Sequence, residues 1–160
     1  MKFKVSEDID APVDVTWSRF TDFSHFESEV RGRGADLVRV GDWSEAGAGA
    51  KWRGSVPVRG KSRAISSEIT RFEPHETCLV QSQIGGMACA YEMDFVALSP
   101  EVTRVSAVMD LSASSLSARL LLQTMKLARG KVLQRMQGVL ARQGNAAEAA
   151  WRKIQRERQA

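Results

Sequence analysis

Residues 77–95 read TCLVQSQIGGMACAYEMDF, and the architecture follows from how this stretch pairs with itself. Two alternating runs flank Gly85-Gly86, and glycine accepts the positive φ angles that a two-residue hairpin turn requires. With Ile84 opposite Met87, Ser82 faces Cys89, Val80 faces Tyr91 and Cys78 faces Met93. Opposed residues share a face of the sheet. One side therefore carries Val80, Ser82, Ile84, Cys89, Tyr91 and Met93, and the other Ala88, Ala90, Glu92 and Asp94. This register holds Cys78 and Cys89 on the order of 13 Å apart along the ladder, too far for a disulfide. Both read as reduced, buried thiols.

The same period of two extends in both directions. Downstream, Leu98-Ser99-Pro100 turns the chain into a strand whose inner residues are Val105, Ala107, Met109 and Leu111. Upstream, Ala35–Val40, Lys51–Val58 and Arg63–Arg71 are predicted strands. Trp52, Gly54, Val56 and Val58 share one face of the second, and Ile65, Ser67 and Ile69 one face of the third. Arg59-Gly60 supplies a tight turn, and Pro57 implies a bulged or edge-like position because it cannot donate a ladder hydrogen bond. Lys2–Ile9 alternates as well, with Phe3, Val5 and Ile9 inward.

Helical spacing occurs in two places. After Asp10-Ala11-Pro12, where Asp10 suits an N-cap, Val13, Trp17 and Phe20 recur at helical intervals. A second short helix follows through Asp22–Glu27 and stops at Gly32 and Gly34. Residues Leu116–Arg142 form one long amphipathic helix with Leu121, Met125, Ala128, Val132, Met136 and Val139 on its apolar stripe. Gln143-Gly144-Asn145 is read as its end. Gly130 sits within it, serving a close approach or simply tolerated. The resulting division is a domain over 1–143 and a basic, helical tail over 144–160.

The fold class is therefore α+β. Length and composition, 160 residues with 43% apolar and 26% charged, suit one domain with its own core. No run reaches the ~18 apolar residues of a membrane span, and the N-terminus lacks a secretory signal, so the expected location is cytoplasmic. The net charge of +4 is uneven: residues 114–160 carry ten Lys/Arg against two acidic residues. Such a segment is either a solvated face or a dock for an anionic membrane or acidic protein. Stacking aromatics are missing from the basic helix, which argues against nucleic acid. Two histidines and two separated cysteines give no metal-site spacing, and neither metal nor cofactor is expected.

The order of elements resembles the helix-grip fold of the START/Bet v1-like superfamily, also termed SRPBCC or polyketide cyclase-like. The residues that carry the likeness are Ile9-Asp10-Ala11-Pro12-Val13-Asp14-Val15-Thr16-Trp17, Asp22-Phe23-Ser24, Phe72-Glu73-Pro74 and Leu98–Val105. The long basic terminal helix and Val58-Arg59-Gly60 are further similar to the group named for the G-type subunit of carbon monoxide dehydrogenase. The resemblance implies a curved antiparallel sheet wrapped around the C-terminal helix, two short helices after strand one, and an apolar cavity between sheet and helix. Its members hold lipids, quinones, sterols or aromatic polyketide-like compounds, and a minority act as cyclases or hydrolases.

The residues expected to line such a cavity are Trp52, Ile65, Ser67, Ser82, Cys89, Tyr91, Met93, Met109 and Met125. Tyr91, the one tyrosine, places a phenol in apolar surroundings. It anchors a ligand carbonyl on one reading and bonds Ser67 or a water on the other. Glu7 falls on the inner face by strict alternation, although a bulge before the first helix would turn it to solvent. The expected function is non-catalytic binding of a hydrophobic small molecule. The alternatives are a cyclase or dehydratase using Tyr91 and Glu7, and a docking module acting through the basic helix. No catalytic residue is assigned.

Overall fold

A computed structural model describes all 160 residues. Seven strands form a single antiparallel sheet: β1 (Lys2–Ile9), β2 (Asp36–Val40), β3 (Lys51–Val58), β4 (Lys61–Glu73), β5 (Thr77–Ile84), β6 (Met87–Ser99) and β7 (Val102–Ala113). Their order across the sheet is β1-β7-β6-β5-β4-β3-β2, so strands two to seven form a meander and strand one closes its far end. The helices are α1 (Val13–Phe20), α2 (Phe23–Gly32), α3 (Leu116–Leu127) and α4 (Arg129–Gln159), all packed against one face. This is the expected α+β arrangement of a curved sheet, two short helices after strand one and a long C-terminal helix.

The β5–β6 register is the one read from the glycine pair: Ile84↔Met87, Ser82↔Cys89, Val80↔Tyr91 and Cys78↔Met93. Gly85 has φ +56°, as the first position of a primed hairpin turn needs. Gly86 fails to admit a side chain for a different reason, because a Cβ there would run into Ser115 at the start of α3. The β3–β4 turn puts both Arg59 and Gly60 at positive φ. Pro57 pairs with Ser62 without a bulge, and β2 pairs only with Lys51–Ser55, so Pro57 occupies a free edge. Both cysteines are free thiols.

The inner face carries the core, with Phe3, Ile9, Ile69, Cys78 and Val105 inaccessible or nearly so. Trp17 and Phe20 of α1 meet Phe95 edge-on, at centroid distances of 4.9 and 5.8 Å, and so fasten the first helix to β6. Asp10 does not cap this helix. Its N–H instead donates to Glu148 Oε2 of α4 at 2.9 Å, while Asp22 caps α2 by accepting from the His25 N–H.

Two expectations for the C-terminal region are corrected. The single helix over 116–142 is two, broken at Ala128 (φ −99°, ψ 28°). The break lets α3 lie on β7 while α4 turns to β1 and α1, two surfaces that one straight rod cannot follow. No stop occurs at Gln143-Gly144-Asn145, because α4 runs on to Gln159. Gln143, Gly144 and Ala147 are buried, so the helix continues packed past residue 143. Glycine there is a contact surface rather than a terminator. Gly130, by contrast, has no neighbour within 4 Å and is a tolerated helix residue.

Helix α4 also covers an exposed sheet edge. Arg129 Nη2 donates to the Lys2 carbonyl at 3.0 Å and Gln137 Nε2 to the Ser6 carbonyl at 2.8 Å, occupying acceptors on the outer margin of β1. Gln137 Nε2 also donates to Glu7 Oε2. The β1–β7 register is unbroken from Lys2 to Ile9, so the bulge expected to turn Glu7 outward does not exist. Glu7 stays on the helix side, half-buried under Gln137. No helix is long and apolar enough to cross a membrane.

Candidate functional site

An apolar cavity of about 260 Å³ lies between the sheet and the helices. Its floor is Val80 of β5 with Tyr91 and Met93 of β6, adjacent through the register above. Phe20, Phe23 and Phe26 form the wall from α1 and α2, and Val139, Leu140 and Gln143 form the lid from α4. Eight of the nine lining residues are hydrophobic, which makes the site a solvent for hydrocarbon rather than for ions.

Gln143 is the exception, and its orientation is fixed. Arg19 Nε donates to Gln143 Oε1 at 2.9 Å, and a guanidinium can only donate, so the carboxamide oxygen must face Arg19. The Gln143 NH₂ then has no hydrogen-bond partner in the protein, on a side chain that is 3% exposed. Every fully enclosed polar side-chain atom is partnered, so this NH₂ is not sealed among packed atoms, and its residue is one of those that line the cavity. Arg19 is itself held, since its Nη2 lies 2.9 Å from His25 Nε2, which must accept and so carries its proton on Nδ1. Glu29 Oε1 stands 3.5 Å from that same histidine nitrogen. A polar chain thus runs from the surface to the cavity wall and ends in an unused donor.

Tyr91 contributes its ring to the floor, and its hydroxyl bonds no protein group. Burial, with a smaller contribution from Cys89, pushes its phenol up to about 12, so it is neutral near pH 7. Of the partners considered for its hydroxyl, Ser67 is not one: Ser67 and Ser82, facing each other across β4 and β5, bond together at 2.7 Å.

The remaining candidates serve elsewhere. Trp52 is buried between Phe23 and Trp43, and its Nε1 donates to Glu27 Oε1 at 3.1 Å. Arg39 Nε bonds the same oxygen at 2.8 Å, making a staple between α2 and the β2–β3 pair. Ile65 pairs with Ile84 away from the cavity, and Cys89 is half-buried beside Ser82 and Leu111. Met109 lies between Phe3 and Tyr91 in the ladder, and Met125 is on α3; neither lines the cavity. Glu7 is paired with Val105 and Tyr91 with Met109, four positions apart along β7, on the order of 13 Å. The two groups do not converge on one small molecule.

Sequence reasoning missed the three phenylalanines, the α4 pair Val139–Leu140 and Gln143. The phenylalanine spacing is visible in residues 20–26. The signal for Gln143 is masked by Gly144-Asn145, a pair that imitates a helix end. A larger open trough of about 600 Å³ crosses the other face of the sheet, lined mainly by polar or small side chains such as Arg53, Ser66, Gln83 and Ser112. No three His, Cys, Asp or Glu side chains converge anywhere in the chain.

This geometry can be set beside known structures. A START superfamily protein from Mycobacterium smegmatis superposes with a TM-score of 0.55 at 12% identity, covering 86% of this chain and 98% of that one. The chain has the START/Bet v1-like helix-grip fold. Other helix-grip structures agree. TTHA0849 from Thermus thermophilus gives a TM-score of 0.65 at 17% identity, with 94% and 99% of the two chains covered. The ZhuI aromatase/cyclase from Streptomyces sp. R1128 gives 0.62 at 14%, covering 89% and 94%. At these identities the likeness bears on the fold. No family model matches the sequence, and no curated protein matches it.

Proposed function

We propose that this helix-grip domain binds a small, mostly apolar organic molecule that carries one hydrogen-bond acceptor, such as an aromatic ketone or quinone. The observation that carries the reading is the apolar cavity under α4 with an oriented, unpartnered donor, the Gln143 amide, on its wall. An N–H facing apolar space without a partner costs free energy that an acceptor on the ligand would recover, which favours a carbonyl over a plain hydrocarbon. At about 260 Å³ the space lies just under the roughly 300–1,000 Å³ of common ligand sites, which suits one or two fused rings. The fold shared with an aromatase/cyclase supports the aromatic character of the ligand. The separation of Tyr91 from Glu7 favours binding over a reaction that needs both.

The test uses a matched pair of probes, 2-acetylnaphthalene and 2-isopropylnaphthalene, which differ in one carbonyl. Native mass spectrometry and calorimetry on the full chain should show uptake of both, with the ketone bound about tenfold more tightly. Gln143→Leu should abolish that preference, and Val139→Phe should diminish uptake of both by filling the space. Failure of the folded protein to take up either probe would overturn the proposal.

A further inference from the structure

The three most exposed large apolar side chains in the protein sit on one helix: Leu127 at 91%, Leu116 at 74% and Leu120 at 62%. Steps of four and seven residues align them on a single stripe of α3. The opposite stripe of the same helix, with Ala118, Leu121, Leu122 and Met125, packs against the core. The helix is therefore already docked, and the outer leucines contribute nothing to the fold that water would not oppose. Leu116 and Leu120 stand on successive turns and Leu127 two turns further on, with exposed Gln123 between them, so the leucines lie along one face rather than scattered over the surface.

Charge identifies the complementary surface. Arg119 and Lys126 border the leucine stripe along one side, and Lys131 and Arg135 follow at the start of α4, all exposed. None of the four forms an ion pair. Residues 111–147 contain no Asp or Glu at all. An antiparallel isologous pairing of two copies through this stripe would bring the two basic margins together. A surface apolar inside and negative at its boundary satisfies both features at once.

We propose that α3 docks on an anionic lipid bilayer, lying in its plane with Leu116, Leu120 and Leu127 among the acyl chains and Arg119 and Lys126 at the headgroups. Its twelve residues, about 18 Å in length, are too short to span but suit an interfacial helix. The long basic side chains reach outward while their stems remain against lipid. This inference is independent of the cavity, since α3 supplies none of its lining.

Flotation of the full-length protein with phosphatidylcholine vesicles, with or without phosphatidylserine, tests it. The expected result is binding to the phosphatidylserine vesicles alone, weakened as salt is raised. Leu120→Gln/Leu127→Gln should lower partitioning about tenfold or more with an unchanged melting temperature, because the leucines are exposed. Arg119→Gln/Lys126→Gln should lower it several-fold and reduce the salt dependence. Absence of vesicle binding, equal binding to both vesicle types, or retention by the leucine variant overturns the proposal. So does a dimer in sedimentation that the leucine variant loses, which would assign the stripe to a second copy.

Discussion

Gly144 of α4 lies directly against Ile9 of β1: a Cβ on the glycine would stand 3.0 Å from Ile9 Cγ1 and 3.1 Å from Cδ1. Ile9 is 1% exposed and has little room to retreat. The contact lets the helix approach the sheet closely just beyond Gln143, and so sets the height of the cavity lid.

Replacement of this glycine should therefore run against helix propensity. Gly144→Ala gains about 1 kcal/mol of propensity but forces overpacking costing about 1–3 kcal/mol, for a net loss near 1 kcal/mol. Gly130→Ala, in the open, should gain about 0.5 kcal/mol. Urea unfolding of the pair checks the contrast. Equal stabilisation by both substitutions would contradict the contact.

Gly54 is a stricter case. A Cβ there would run into the Asp36 carbonyl across the β2–β3 ladder, where the neighbouring atoms are backbone and cannot swing aside. Gly54→Ala should cost about 3 kcal/mol or detach β2 outright. Hydrogen exchange is the direct measurement, with protection expected to vanish in residues 36–40 and persist in β5–β7. Wild-type protection throughout would refute it.

Glu27 makes a pH prediction. Burial alone would raise its carboxyl, but the Trp52 N–H, the Arg39 hydrogen bond and the charges of Arg39 and Arg31 outweigh that and hold it below its ordinary 4.5. A carboxyl depressed in the folded state contributes its stability in full above the unfolded value, and the contribution fades as pH falls through the folded one. Wild type should thus lose stability below about pH 4.5 more steeply than Glu27→Gln. At neutral pH that variant should be less stable by about 1–3 kcal/mol. Parallel pH–stability curves for the two proteins would remove Glu27 from this role.

Tyr91 titrates alone, as the single tyrosine of the chain. Its phenol, pushed up to about 12 by burial, should ionise about two units above free tyrosine in an ultraviolet titration. Because the folded value is the higher one, its contribution is complete below pH 10 and is lost as pH rises toward 12. Tyr91→Phe should flatten that alkaline loss. A midpoint near 10 in the folded protein would place the ring in water.

Much of the fold was legible because alternation and turn chemistry are local. Ile84-Gly85-Gly86-Met87 fixed the pairing of two strands, and with it the neighbourhood of Val80, Tyr91 and Met93. The inner face of the sheet could be enumerated, but which part of it remains uncovered could not. Trp52, correctly placed inward, proved to be occupied by Glu27 and Trp43. Met109 and Met125 share the apolar side but belong to its packed portion.

The β5–β6 register, the turns at Arg59-Gly60 and Gly85-Gly86, the inward side chains of the alternating strands and the basic, acid-free stretch after Asp110 were settled by the order of amino acids alone. Each follows from steric or periodic rules that act over a few residues. Where α3 and α4 part, why Gly144 lies within a helix, and that Gln143 lines an apolar cavity came only from the packed chain. Those outcomes depend on the fit between residues more than a hundred positions apart, such as Arg19 with Gln143 and Ile9 with Gly144. No local pattern encodes that distance.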